Sequence, residues 1–425
     1  MYNVGFGDCF LVTIPNELRP LRILFDCGSV GAAPDIAMED VLEQLFLDAT
    51  DPGAATPRID VVVCTHRHRD HVSGFAKPGW ERVQVKEVWM PWTEHPTDPE
   101  ARRIRNTQAG LAARLEASLT ARLTASPNDA GLAMAQALAA NALSNERAMA
   151  VLHEGFAGRP ARKFFPARDS TELQYDASHV LPDMSVFVLG PSRTEAVIRD
   201  MDPPPGKSYM QLAASRDDSG QVPMAFGPEW RLEPSAYQAP IFGDTGTVPS
   251  GTPTTTLGLW LKNSRKLPTL SLDDMDAIAK AGDMELAVAV ALDKAVNGTS
   301  LMLVLKIGAV HLLFPGDAQW GTWQAALDNP MARALLEKTS FYKIGHHGSH
   351  NATPTDFVEH ILPNDTRGMI STRPISQWPD IPRQPLLTAL TQHHCTFARS
   401  DQPADADQNV FTTGALFIDT EIPLP

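Results

Sequence analysis

Residues 61–75, VVVCTHRHRDHVSGF, constrain the fold more than any other stretch of this chain: an apolar, β-branched run ends in three histidines and an aspartate within six positions. A continuous apolar run of this length, bounded by polar residues, reads as a buried strand. His66 and His68 stand two apart, so in an extended segment their side chains leave on one face and can grip one metal ion. Asp70 and His71 follow where the chain is expected to turn into a helix, which lets them point at a second ion beside the first. A lone core histidine is commonly just a hydrogen-bonded core residue. HxHxDH at a strand end is far rarer by chance, and it reads as a metal site.

The rest of the chain supplies the setting. NVGFGDCFLVTI and LRILFDCG read as two strands, IDVVVCT as a third leading into the histidines, and VKEVWMPW as a fourth. Residues 101–155 become rich in Ala, Leu, Arg and Glu at helical spacing, interrupted at SPND, and predict two helices forming a hairpin. Strand character returns at 183–192, DMSVFVLGPS. From about 193 to 270 the sequence is crowded with Pro, Gly, Ser and Asp and reads as a long irregular insertion. LSLDDMDAIAKAGDMELAVAVALDKAV is expected to be helical, with Ser271 as its N-cap. SLMLVLKIG and VHLLFPGD form a hairpin candidate, followed by a helix from near Gln319; TSFYKIGHHGSHNAT reads as a strand ending in a second histidine cluster. The tail alternates RGMIST, a helix near PLLTALTQHH, and GALFIDT. Strands and helices interleaved in this way suit a layered α/β protein.

A chain of 425 residues with 43% apolar content supports a sizeable core, read as one catalytic domain over 1–425 that carries insertions. The formal net charge of −14 argues against a protein that coats nucleic acid along its surface, since that affinity comes from Lys and Arg. It does not exclude a nuclease, because metal ions can supply positive charge locally. No stretch reaches the roughly 18–20 apolar residues that span a bilayer, and MYNVGFGDCFLV lacks the regions of a secretory signal, so the expectation is a cytoplasmic chain with no membrane partner. Cys9, Cys27, Cys64 and Cys395 show no C-x-x-C pairing and read as buried small hydrophobes.

Two later segments place further ligand types at strand ends. LLFPGDA ends a strand with Asp317, whose carboxylate could bridge two ions, and KIGHHGSH ends another with His346 and His347. With these residues in view, the chain resembles the metallo-β-lactamase-fold hydrolase superfamily, and within it the metallo-hydrolase domain attached to bacterial competence (DNA-uptake) channel proteins. The similarity is carried by NVGFGDCFLV, LFDCG, HxHxDH at His66 to His71, NGTSLMLVL before LLFPGD, and KIGHHGSH, with a weaker echo in ARSDQ followed by GALFI. It covers residues 1–96, 183–192 and 296–425, leaving a helical insertion at 101–165 and a Pro/Gly-rich and helical insertion at 193–295.

The resemblance implies an αββα four-layer sandwich, two central sheets flanked by helices, with a binuclear metal site at one edge. It implies that His66 and His68 hold a first ion, that Asp70, His71 and His346 hold a second, and that Asp317 bridges. Asp26 would orient the histidine-rich loop. Many members of the superfamily bring a third histidine to the first ion, whereas residues 271–310 here contain none. Asn297, in VNGTS, could lend a carbonyl oxygen in its place, or water could fill it. His95, His153 and His179 are the remaining histidine candidates and read as ordinary surface or cap residues.

Two divalent ions about 3.5–4 Å apart, zinc favoured and manganese also suited, would activate a metal-bound hydroxide. No G-x-S-x-G elbow offers another nucleophile. Asp70 and His347 are the candidate catalytic residues, with His347 or His350 protonating the leaving group or holding a substrate oxygen. The resemblance favours a phosphodiester substrate, a nucleic acid or a smaller nucleotide. An esterase, lactonase or thioesterase is the alternative, and a non-catalytic interaction module a further one. Extra cationic groups such as Lys343 or Arg373 would speak for phosphate, and ARRIR at 101–105 is the notable basic cluster.

Overall fold

In a computed structural model the chain is described over residues 1–31, 36–143, 145–204, 206–209, 284–375 and 380–424. The expected Ser271 cap and most of the Pro/Gly-rich stretch lie outside the described residues. Two mixed sheets organise the rest. The first has five strands in spatial sequence order, β1 (Phe10–Ile14), β2 (Leu21–Phe25), β3 (Arg58–Val63), β4 (Gln84–Pro91) and β5 (Ala161–Phe165). β1 and β2 form an antiparallel hairpin, and β2 to β5 run parallel. The second has seven strands in the order β12-β11-β10-β9-β8-β7-β6. These are β6 (Gln174–Tyr175), β7 (Met184–Gly190), β8 (Met302–Ile307), β9 (Val310–Phe314), β10 (Thr339–Lys343), β11 (Arg367–Ile370) and β12 (Thr396–Arg399). Its β6–β9 half is antiparallel and its β9–β12 half parallel. A small pair, β13 (Thr412–Thr413) and β14 (Ile418–Asp419), closes the chain.

The period of two along each strand sorts apolar side chains onto two faces. Ile23, Phe25, Val61, Val63 and Trp89 of the first sheet share one buried cluster with Val186, Leu303, Leu305, Phe314 and Phe341 of the second. Phe25 stacks on Phe314 with ring centroids 3.8 Å apart. The alternate residues Leu24, Val62 and Val88 face the other way and pack against α1 (Met38–Asp48). That helix presents Val41, Leu42, Leu45 and Phe46 at helical spacing. Val304, Leu313 and Tyr342 on the far face of the second sheet meet Trp323, Leu336, Phe357 and Leu390. These sit on helices α8 (Trp320–Asp328), α9 (Pro330–Leu336), α10 (Thr355–His360) and α11 (Gln384–Gln392), numbered after the helices described next. Burying such a side chain contributes roughly 1.5–3 kcal/mol. The protein is therefore a mixed α/β structure with helices covering apolar sheet faces.

The short helix α2 (Arg69–Val72) follows β3. The predicted hairpin is present as α3 (Pro99–Ala125) and α4 (Ala130–Leu143). Asp98 caps α3 by accepting from the N–H groups of Glu100 and Ala101, and Pro99 sits at the first helical position. Two short helices, α5 (Glu146–Ala150) and α6 (Glu195–Ile198), come next. Ala161–Phe165, assigned on sequence to the 101–165 insertion, is β5 and pairs in parallel with β4. Phe165 packs edge-on against Trp89 of that strand, which holds the segment in the sheet. The helix expected to run to residue 296 is described as α7 (Met284–Asn297), and its apolar face packs on α3 and α4 through Leu286, Ala289 and Val290. NVGFGDCFLVTI is extended into a named strand only from Phe10. No described helix is long and apolar enough to cross a membrane.

Candidate metal centre

Adjacent strand ends deliver the site. β2 and β3 are parallel neighbours, so Asp26 emerges beside the loop that follows β3. Asp26 takes φ 55° and accepts through Oδ1 from the Thr65 N–H at 2.7 Å, and through Oδ2 from the Thr65 hydroxyl at 2.6 Å and His71 Nδ1 at 2.9 Å. Gly28, just beyond, lies so close to α2 that a Cβ would stand 2.5 Å from the Val72 nitrogen. From the second sheet, β9 is followed by Pro315 and by Gly316, whose φ of 57° turns the chain into Asp317. β10, its parallel neighbour, leads to His346 and His347, both left-handed at φ 48° and 54°.

The ring nitrogens decide what this cluster can hold. A carboxylate only accepts, so His71 donates from Nδ1 to Asp26; a carbonyl only accepts, so His347 donates from Nδ1 to the Ser371 oxygen at 2.7 Å. In the neutral rings both Nε2 atoms are then bare lone pairs. His71 Nε2 faces Asp317 Oδ2 at 3.1 Å and Asp70 Oδ2 at 3.6 Å, and His347 Nε2 faces Asp70 Oδ2 at 3.0 Å. Lone pairs and carboxylate oxygens this close require a proton or a cation between them. In the metal-free chain protons serve: burial opposes the charge on His71 and His347, but the surrounding carboxylates outweigh it and raise both rings. Burial likewise opposes ionisation of Asp70 and Asp317, and the neighbouring imidazoles overcome it and hold both low. Asp70 Oδ1 is buried with no hydrogen-bond partner, a situation costing about 1–3 kcal/mol that a bound cation would relieve. Asp70, His71, Asp317 and His347 can together hold a metal ion, and Asp8, Asp26 and His71 form an adjoining group.

His66 and His68 stand next to them. His66 Nε2 lies 3.1 Å from His68 Nδ1, and Asn297 Oδ1 lies 2.9 Å from the same His68 nitrogen. Burial lowers the pKa of both rings, that of His68 to about 4, which keeps them neutral as metal ligands must be. Asp317 is fixed by the backbone N–H of His346 at 3.0 Å and by Lys343 at 3.5 Å.

The structure thus brings together His66, His68, Asp70, His71, Asp317 and Asp26, and it exchanges the two histidines of KIGHHGSH. His347, read as a proton donor, is the one inside the group, its ring clamped by Ser371 and packed 4.1 Å from Phe6. His346 stands on the rim, 18% exposed, with Nε2 3.8 Å from Asp317. The two left-handed residues swing successive rings to different sides, which the sequence does not announce. His350 is buried along the same cleft, its pKa pushed down to about 3 by burial, Lys294 and Arg383. Lys343 pairs with Asp8 and Asp317 and so spends its charge inside the protein, while Arg373 is half-buried. Within ARRIR, Arg103 pairs with Glu195, and Arg105 donates to the carbonyls of Thr93 and His95. His95 and His153 pack on Phe164, and His179 bonds Glu87 at 2.9 Å, so these three histidines serve elsewhere.

Several site residues escape sequence reasoning. Asp8 pairs with Lys343 and lies 3.5 Å from His71. Asn141, on α4, accepts from the Arg69 N–H at 2.9 Å, and Asn145, at the start of α5, donates to the Arg67 carbonyl at 2.6 Å, so the end of the helical hairpin braces the histidine loop. Asp293, on α7, is pushed up to about 8 by burial and by Asp70 and Asp317. No protein-family model matches this chain, and no curated protein matches it in sequence.

Proposed function

We propose that the chain is a metal-dependent hydrolase of the metallo-β-lactamase-like kind, acting on a phosphodiester. The observation that carries this reading is that the Nε2 atoms of His71 and His347, their Nδ1 atoms committed to Asp26 and the Ser371 carbonyl, converge on the carboxylates of Asp317 and Asp70. The helix-covered outer faces of two sheets that share one inner cluster support a four-layer αββα arrangement. In this reading His66 and His68 would hold one divalent ion, Asp70, His71 and His347 would hold the second, and Asp317 would serve both. Zinc or manganese suits these donors. Such an ion pair lowers the pKa of water toward neutrality and neutralises charge on the attacked group.

The protein's own groups do the orienting. Asp26 and the Ser371 carbonyl hold the Nδ1 protons of His71 and His347, so both rings present Nε2 inward. Lys343 offsets the charge of Asp8 and Asp317. His346, on the rim, is placed to hydrogen-bond a substrate oxygen. The phosphodiester assignment rests on the resemblance to the competence-type domain. The net charge of −14, and the engagement of Arg103 and Arg105 in contacts within the protein, favour a small nucleotide-like diester over a long strand.

The test is turnover of bis-p-nitrophenyl phosphate beside a p-nitrophenyl ester, in wild type and in Asp70→Ala. The expected result is phosphodiester cleavage that falls by more than about 100-fold in the variant, more than the loss typical of an outer orienting residue. Ester cleavage alone would move the reaction to acyl chemistry. Cleavage of neither would leave a binding module.

A further inference from the structure

Resting on that reading, the geometry points to Asn297 as the third protein ligand of the ion held by His66 and His68, through its side-chain oxygen. Asp293 is then the positioning residue that turns both Asn297 and His68 toward that ion. The two residues are four apart on α7 and so share one helix face. No histidine occurs between residues 271 and 310 to do this work.

The distances favour convergence on one cation. Two ligand atoms each about 2.0–2.2 Å from a single ion lie roughly 2.8–3.6 Å apart, from octahedral to tetrahedral geometry. His66 Nε2 and His68 Nδ1 are 3.1 Å apart, and His68 Nδ1 and Asn297 Oδ1 2.9 Å apart. All three residues are 1% exposed or less. The helix places the amide here because the backbone continues directly into the site: four residues after Asn297, the Leu301 N–H bonds the Thr65 carbonyl at 2.8 Å.

Asp293 fixes the orientation of both partners from behind. Its Oδ2 accepts from Asn297 Nδ2 at 3.3 Å, so the amide turns its NH₂ to Asp293 and its oxygen to His68. Its Oδ1 lies 3.6 Å from His68 Nε2, a buried ring nitrogen with no hydrogen-bond partner of its own. Once His68 gives its Nδ1 lone pair to a cation, the remaining proton sits on Nε2, facing this carboxylate. One side chain thereby sets the amide rotamer and the histidine tautomer.

The experiment is metal binding, read without catalysis. Zinc and cobalt(II) are titrated into wild type, Asn297→Ala, Asn297→Asp, Asp293→Asn and Asp70→Ala, with bound metal counted by mass spectrometry and the cobalt absorption bands recorded. Melting of each metal-free variant checks the fold. The inference expects Asn297→Ala and Asp293→Asn each to weaken one ion by about 10- to 100-fold, to leave the other unchanged, and to alter only part of the cobalt spectrum. Asn297→Asp, which keeps an inward oxygen, restores binding. Unchanged affinity and spectrum in both variants, with metal still lost in Asp70→Ala, would overturn the inference and leave the hydrolase reading standing. A wild type that binds no metal would overturn that reading, and this inference with it.

Discussion

At the scale of single residues, the centre works because each ring has one nitrogen committed to the protein and one turned inward. Asp26 commits His71, so Asp26→Ala should weaken metal binding by about 10- to 100-fold, as removal of an orienting partner does, and a zinc titration by calorimetry would register it. Gly28 makes a different demand: a Cβ there would meet the Val72 nitrogen at 2.5 Å and the Arg69 carbonyl at 2.6 Å. Gly28→Ala should therefore cost about 1–3 kcal/mol of stability, read from the urea midpoint, because backbone on both sides has to move. HxHxDH was legible because several strong ligand types rarely crowd a strand end for packing reasons. Asp8, Asp293 and Ser371 were not, since an aspartate or a serine carbonyl acquires its role only from partners far away in sequence, such as Asp293 at His68. The choice between His346 and His347 was hidden for a related reason, as it depends on two left-handed backbone positions and not on residue type.

At the scale of elements, the helical hairpin has a supporting role at the metal-seeking loop. Asn141 on α4 and Asn145 just beyond it bond the backbone of Arg69 and Arg67, between the metal-seeking side chains. Replacing both asparagines with alanine strands one N–H and one carbonyl of the loop. The double variant should lose about 1–3 kcal/mol per group left unpaired and should bind zinc less tightly, which thermal melts with and without zinc would separate. The pair of helices was readable from composition and the SPND break. β5 was not, because ARKFF is short and carries two charges, and it becomes a strand only by pairing with β4 and packing Phe165 on Trp89. The amphipathic α1 shows that a helix can be plain in its pattern of Val41, Leu42, Leu45 and Phe46 yet stay unassigned until a sheet face exists to receive it.

At the scale of the whole molecule, the two sheets meet through a cluster in which Phe314 stacks on Phe25 and touches Phe10 and Phe341. Phe314→Ala should cost about 3–5 kcal/mol by opening a cavity between the sheets, measured by chemical denaturation. The α/β class was legible from interleaved strands and helices, whereas the division into five and seven strands was not, because parallel partners are chosen by tertiary neighbours and short strands such as Gln174–Tyr175 carry no period. A metal that binds only the folded chain also stabilises it, by about 2.7 kcal/mol at one hundred times its Kd, so chelation should lower the Tm and zinc should restore it. The most direct test of the central claim is the metal content of protein purified without chelators, counted by mass spectrometry in wild type and Asp70→Ala. About two zinc or manganese ions per chain, reduced in the variant, is the result predicted; wild-type protein that carries no metal and takes up none on titration would contradict it.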